Sequence, residues 1–154
     1  MTVPTDGMRK AMARAEVGDD VYGEDPTVNQ LQEMGAALLG KRFALFVPSG
    51  TMANQLAIRA HTQPGQEVIV ESTSHIVHYE QGAAGALAGV QLHWVPAERG
   101  IMSAEQVEAA IRPHDPHSIP TGLICLENTH NAGGGTIYPL STIEKIRAVA
   151  AKHG

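Results

Sequence analysis

The segment Phe46-Val47-Pro48-Ser49-Gly50-Thr51-Met52-Ala53-Asn54 places an apolar run, a Gly-containing turn and a helix start in immediate succession. The first turn of a helix exposes unpaired N–H groups at the positive end of its dipole, a setting that suits a phosphate dianion. Gly50 lets backbone come close to such a group, and the hydroxyls of Ser49 and Thr51 can donate to it. The same residues also fit a capped helix after a turn, with no ligand at all. There is neither a Gly-Lys-Ser/Thr loop nor a Gly-x-Gly-x-x-Gly turn, so nothing in the segment points to a nucleotide.

Eight histidines invite a search for metal ligands. His75, His78 and Glu80 lie close together, yet no second cluster at a recognised metal spacing completes a set, and core or surface histidines account for them. No metal is expected. His75 follows the apolar run Glu67–Glu71 and the polar turn Ser72-Thr73-Ser74, which places it where ligands bind in open α/β sheets. Glu127-Asn128-Thr129-His130-Asn131 follows another apolar run and leads into Gly133-Gly134-Gly135. That density of polar side chains favours a site over a plain turn. Near the start, Gly18-Asp19-Asp20-Val21-Tyr22-Gly23-Glu24-Asp25-Pro26 reads as an acidic, solvated turn. His117, between Pro116 and Pro120, reads as an ordinary loop residue.

The elements that must position these groups alternate between short apolar runs and longer amphipathic ones. Phe43–Val47, Val68–Val70, Gln91–Val95 and Leu123–Leu126 are expected as buried strands. Asp25-Pro26 opens a helix carrying Val28, Leu31, Met34 and Leu38 at helical spacing. Thr51–His61 forms another. Ser103-Ala104-Glu105-Gln106 and Ser141-Thr142-Ile143-Glu144 both fit a capping box. This rhythm predicts an α/β layer with a largely parallel sheet in one domain, residues 1–154.

Composition narrows the function classes. With 43% apolar and 18% charged residues the chain is globular in character. A net charge of -5 and only 4% aromatic residues disfavour nucleic acid as a partner. No apolar stretch approaches a membrane span and no signal peptide is visible. The single cysteine, Cys125, is expected to be a buried, inert thiol, consistent with a reducing cytoplasm.

Taken together, the motifs resemble threonine aldolase, in the aspartate-aminotransferase-like group of pyridoxal-phosphate (PLP) enzymes. The resemblance rests on Val17 through Thr27, Phe46 through Gln55, Ser74-His75-Ile76 and Leu126 through Asn131, and it covers nearly the whole chain. It implies the large domain of a PLP-dependent transferase-like fold, entered through residues 1–26, in a cytoplasmic homotetramer. By that resemblance Ser49, Gly50 and Thr51 hold the cofactor phosphate and His75 stacks on the pyridine ring. His117 matches a second active-site histidine that reaches toward the substrate β-hydroxyl. Tyr22, Glu80 and Asn128 support the site. The implied reaction splits a β-hydroxy-α-amino acid, L-threonine or L-allo-threonine, into glycine and an aldehyde. A related PLP β-eliminating lyase, or a non-catalytic fragment binding PLP or phosphate, are the alternative readings.

The resemblance also sets expectations about what this stretch lacks. The family's Arg-Ser-Asp motif would precede Thr2–Thr5. Its Schiff-base lysine, in a Ser-Lys-Gly context, would follow Gly154, as would the Asp that pairs with the pyridine nitrogen. Lys10, Lys41, Lys145 and Lys152 all fall in helical, charged settings instead. The opening Met1–Gly7 carries little to bury, and both ends look cut. The 154-residue chain alone is therefore expected to be inactive as an aldolase and to fold poorly without further polypeptide.

Overall fold

The computed structural model describes residues 3–154; Met1 and Thr2, with the expectations that touch them, lie outside the described residues. The chain divides into two compact units, the first ending at Pro48 and the second spanning Ser49–Gly154.

The first unit is helical. Helix α1 (Asp6–Arg14) begins at Thr5, whose hydroxyl accepts the Met8 N–H at 3.2 Å. Helix α2 (Pro26–Leu38) starts as the Asp-Pro pair requires. The Asp25 carboxylate accepts the N–H groups of Thr27 and Val28, and Pro26 supplies a first helical position that has no N–H to satisfy. The other Asp25 oxygen accepts the Gly18 N–H at 3.1 Å, so one side chain both caps the helix and closes the acidic turn before it. A short 3-10 turn at Asp20–Tyr22 lies inside that turn. Within this unit Leu31, Met34 and Leu38 of α2 are exposed, as are Phe43, Leu45 and Phe46.

The strand expected at Phe43–Val47 is not formed. Among the described residues the segment forms neither helix nor strand, and the Phe46 N–H goes to the Gln32 side-chain oxygen at 2.9 Å. An apolar run specifies extension and burial; a ladder also requires a neighbour, and the three paired strands all lie in the second unit.

The second unit is an α/β layer. Its sheet has the order β2-β1-β3, all parallel, with β1 at Glu67–Glu71, β2 at Gln91–Val95 and β3 at Thr121–Cys125. All five β1 residues are buried, the expected property of a central parallel strand. Helix α3 (Gly50–His61) and a π-helical turn at Ala84–Ala88 contribute to a core of Ile58, Val68, Ala84, Ala88 and Val90. A second core gathers Ile69, Val95, Met102, Val107, Tyr138 and Ile146, using helices α5 (Ala104–Ala110) and α6 (Leu140–His153). Successive β1 side chains thus feed two cores, as strand pleating dictates. Truncating Ile69, fully buried in the second, to Ala would cost about 2–5 kcal/mol.

The two capping boxes part ways. Ser103 and Gln106 exchange their bonds as expected at the start of α5. At α6 the box expected at Ser141–Glu144 is absent. The helix begins earlier, at Leu140, where Pro139 fixes the backbone and its carbonyl accepts the Thr142 and Ile143 N–H groups. Ser141 therefore lies inside the first turn, where it has no cap to make. Among the described residues no helix is long and apolar enough to cross a membrane.

Candidate functional site

Parallel strands send their carboxyl ends to one end of the sheet, and the loops there carry most of the polar residues with chemical potential. Helix α3 returns through the short connection 62–66 into β1. Its N-terminus therefore lies at the same end of the sheet as the segment following β1.

At that N-terminus the Ser49 hydroxyl accepts the Met52 N–H at 3.1 Å. The Gly50 and Thr51 N–H groups, in the first turn, find no partner among the described residues. A methyl group added at Gly50 would meet nothing within 4 Å, so the space above the helix end is open. These amides and the Thr51 hydroxyl can hold an anion such as a phosphate.

One turn along α3, Asn54 and Gln55 both donate to Glu80. Asn54 Nδ2 reaches Oε1 at 2.7 Å and Gln55 Nε2 reaches Oε2 at 2.6 Å. The His75 Nδ1 lies 2.9 Å from the same Oε1. The Glu80 side chain is fully buried, whereas that of His75 is 42% exposed. A buried carboxylate thus anchors a half-exposed imidazole to the helix that presents the open amides. The Tyr79 ring lies against His75, centroids 5.4 Å apart.

His75 opens the short helix α4 (His75–His78), whose N-cap residue Ser74 makes no side-chain capping bond. Glu127 does so from the loop after β3: its Oε2 accepts the His75 N–H at 2.6 Å, and its Oε1 accepts the Asn131 N–H at 2.8 Å. Ser74 Oγ instead lies 3.4 Å from His130 Nε2. His130, fully buried, also places Nε2 2.9 Å from Glu71 Oε2, and its Nδ1 accepts the Gly133 N–H at 3.1 Å. Glu71 further accepts from the Ser72 hydroxyl and from the hydroxyl and N–H of Thr73. Burial pushes the Glu71 carboxyl upward, but these hydrogen bonds to its charged form outweigh it and hold the group below the ordinary carboxylate range. Asn128 Oδ1 accepts the Tyr138 N–H at 3.2 Å and closes the glycine-rich loop.

Ser49, Gly50, Thr51, His75, Glu80 and Asn128 therefore belong to one end of the sheet in the second unit. His117 does not join them. It lies in the exposed loop that enters β3, at the amino end of the strand, where its N–H donates to Asp115 at 2.7 Å. Tyr22 lies in the 3-10 turn of the first unit with its ring exposed. Local pattern does not single out Glu71 and Glu127 as individual side chains, although Glu71 ends β1 and Glu127 follows β3 in the loop. Among the described residues no group of His, Cys, Asp and Glu is arranged to hold a metal ion. Cys125 is largely buried, which pushes its thiol up to about 11.

A parallel α/β layer with an anion-ready helix end and a carboxylate-held histidine at the carboxyl ends of its strands is the arrangement in which open α/β domains bind ligands. The chain belongs to the beta-eliminating lyase family, whose model matches residues 1–154. It is 46% identical over 158 residues to low-specificity L-threonine aldolase 1 of Arabidopsis thaliana, covering 100% of this chain and 44% of that protein. It is 44% identical over 140 residues to the low specificity L-threonine aldolase of Escherichia coli strain K12, covering 90% of this chain and 41% of that one. The solved threonine aldolase of Leishmania major superimposes with a TM-score of 0.79 at 26% identity, over 97% of this chain and 43% of that chain. The chain thus spans less than half the length of these relatives, and its fold is that of the matching part of a threonine aldolase.

Proposed function

We propose that this chain supplies the phosphate-holding and histidine-bearing part of a PLP-dependent lyase that cleaves L-threonine or L-allo-threonine to glycine and acetaldehyde. The observation that carries the reading is the link from the open N-terminus of α3, through Glu80, to His75. The named relatives, threonine aldolases over the matching stretch, support it. Residues 1–154 are read as part of the PLP-binding large domain, with residues 1–26 leading into it.

The residues present fit the phosphate end of PLP. Gly50 and Thr51 offer unpaired amides at a helix N-terminus, and Gly50 leaves room for close approach. When bound, PLP supplies an electron sink for the bond between the substrate α- and β-carbons. The chain's part is to hold the phosphate through Ser49, Gly50 and Thr51, to present the His75 ring as a stacking surface, and to take or position a proton near the β-hydroxyl. A neutral imidazole suits that last task near pH 7. The lysines of the second unit stand elsewhere: Lys152 pairs with Glu108 at 2.7 Å, and Lys145 lies on the same helix, α6. The assignment of His117 to the substrate β-hydroxyl and of Tyr22 to the site rests on the resemblance, as do a homotetramer and a cytoplasmic setting.

The test is product analysis on the protein isolated from its source. Release of glycine and acetaldehyde from L-allo-threonine is expected. The second reading, a β-eliminating lyase, is favoured by the family description and would give ammonia and a keto acid instead. The 154-residue chain alone is expected to release no glycine; robust turnover by it would refute that expectation.

A further inference from the structure

We infer that Glu80, completed by Asn54 and Gln55, is a positioning group that fixes His75 as the Nδ1–H tautomer and leaves its Nε2 as the proton acceptor facing the substrate. This rests on the reading of His75 as part of the site, and it names the nitrogen and the residues that set it.

An ionised carboxylate can only accept hydrogen bonds. Its partners at Glu80 must therefore all present hydrogens: Asn54 Nδ2 and His75 Nδ1 to Oε1, and Gln55 Nε2 to Oε2. The amide of Gln55 shows how strongly this orientation is imposed. Its own Oε1 is buried and has no partner, the one such side-chain atom among the described residues. Reversing the amide would put that oxygen against Glu80 Oε2, two acceptors in contact. An orphaned acceptor is thus tolerated to keep the carboxylate satisfied. With Nδ1–H committed to Glu80, the neutral imidazole has its lone pair on Nε2. That atom has no partner among the described residues, on a side chain 42% exposed. The Glu127 bond to the His75 N–H holds the backbone beneath the ring at the same time.

His130 provides an internal contrast. Its Nδ1 accepts a backbone N–H from Gly133, so its proton lies on Nε2 and is donated to Glu71. The same side chain is therefore held in opposite tautomers at two places, one buried and structural, the other open at the candidate site.

Long-range proton–nitrogen correlation spectra of the 15N-labelled protein read this directly, with His75→Gln identifying the His75 signals. The expected wild-type pattern is a protonated Nδ1 and a bare, pyridine-type Nε2 for His75, and the reverse for His130. A predominantly Nε2-protonated His75 would overturn the inference. Glu80→Gln keeps an oxygen at the Oε1 position, and once the Gln55 amide turns over its oxygen accepts the new N–H at the Oε2 position, so the variant should fold and retain the tautomer. Glu80→Met removes the acceptor, and the two His75 nitrogen signals should converge as both tautomers become populated. Loss of the tautomer in Glu80→Gln, or its retention in a folded Glu80→Met, would sink the idea. These spectra need no turnover, so the two readings fail separately. A correct tautomer with no glycine release by the protein isolated from its source removes the aldolase, while glycine release by that protein with Nε2-protonated His75 removes the positioning role.

Discussion

Glu127 caps the helix that begins at His75, accepting its backbone N–H at 2.6 Å from 52 residues away. The residue placed to cap locally, Ser74, has its hydroxyl turned to His130 instead. The loop after β3 therefore sets the position of the loop after β1, and the two polar motifs act as one assembly. Replacing Glu127 with Ala removes the cap and frees Asn131, which should cost about 1–2 kcal/mol, in the range of a lost N-cap. Denaturant unfolding measures the loss. The ring signals of His75 should shift more than those of His130, because only His75 stands on the affected helix. Equal shifts at both would argue that the whole end of the sheet loosens.

Gly100 is required by His130. It has a φ of +80°, and an added methyl group would overlap the His130 ring. Its carbonyl accepts the Tyr138 hydroxyl at 3.0 Å, so the backbone there cannot shift freely. Gly100→Ala combines a left-handed backbone penalty with overpacking and should destabilise by about 3 kcal/mol. A melting temperature within experimental error of wild type would show that the His130 pocket yields easily.

The acid limb of stability has a defined sign. Hydrogen bonds from Val28, Gly18 and Thr27 hold the Asp25 carboxyl below its ordinary range, and those from Ser72 and Thr73 do the same for Glu71. Groups with depressed folded values contribute stability that is present above their unfolded values and lost as the pH falls through the folded ones. The contribution of these two carboxylates should thus be constant from neutrality to about pH 5 and be lost below about pH 4. In Glu71→Gln the acid fall of the melting temperature should be shallower, since one of the linked protons is gone. An unchanged slope would mean that Glu71 carries no part of it.

Much of this was legible in local pattern, for reasons the structure makes plain. β1 and β2 fall on the apolar runs, and β3 is displaced slightly toward the amino end. The caps at Asp25 and Ser103 need only a side chain reaching its own next turn. Phe43–Val47 carries the same apolar signal and forms no ladder, because pairing depends on a neighbour that a run of residues cannot specify. Ser141 had the letters of a capping box, but Pro139 started the helix first. The site divides in the same way. The placement of Ser49, Gly50 and His75 at the carboxyl end of the sheet could be read from their immediate neighbours in the chain. The roles of Glu71, Glu127 and Gln55 arise from partners in other segments, and no spacing rule encodes them.

Gly50 separates the proposed ligand from the fold. Nothing lies within 4 Å of a methyl group built there, and its φ is not in the left-handed region that would exclude a side chain. Gly50→Ala should therefore leave stability within about 0.5 kcal/mol of wild type, as surface changes do. The same methyl group occupies the space through which a phosphate would approach the Gly50 and Thr51 amides. Affinity for PLP should fall by about tenfold, ~1.4 kcal/mol, in a fluorescence titration. Affinity for inorganic phosphate should fall in parallel if the amides are the contact. A variant that melts like wild type and binds both ligands unchanged would remove the phosphate from the N-terminus of α3. Weakened binding with intact melting would place it there by an effect that folding cannot explain.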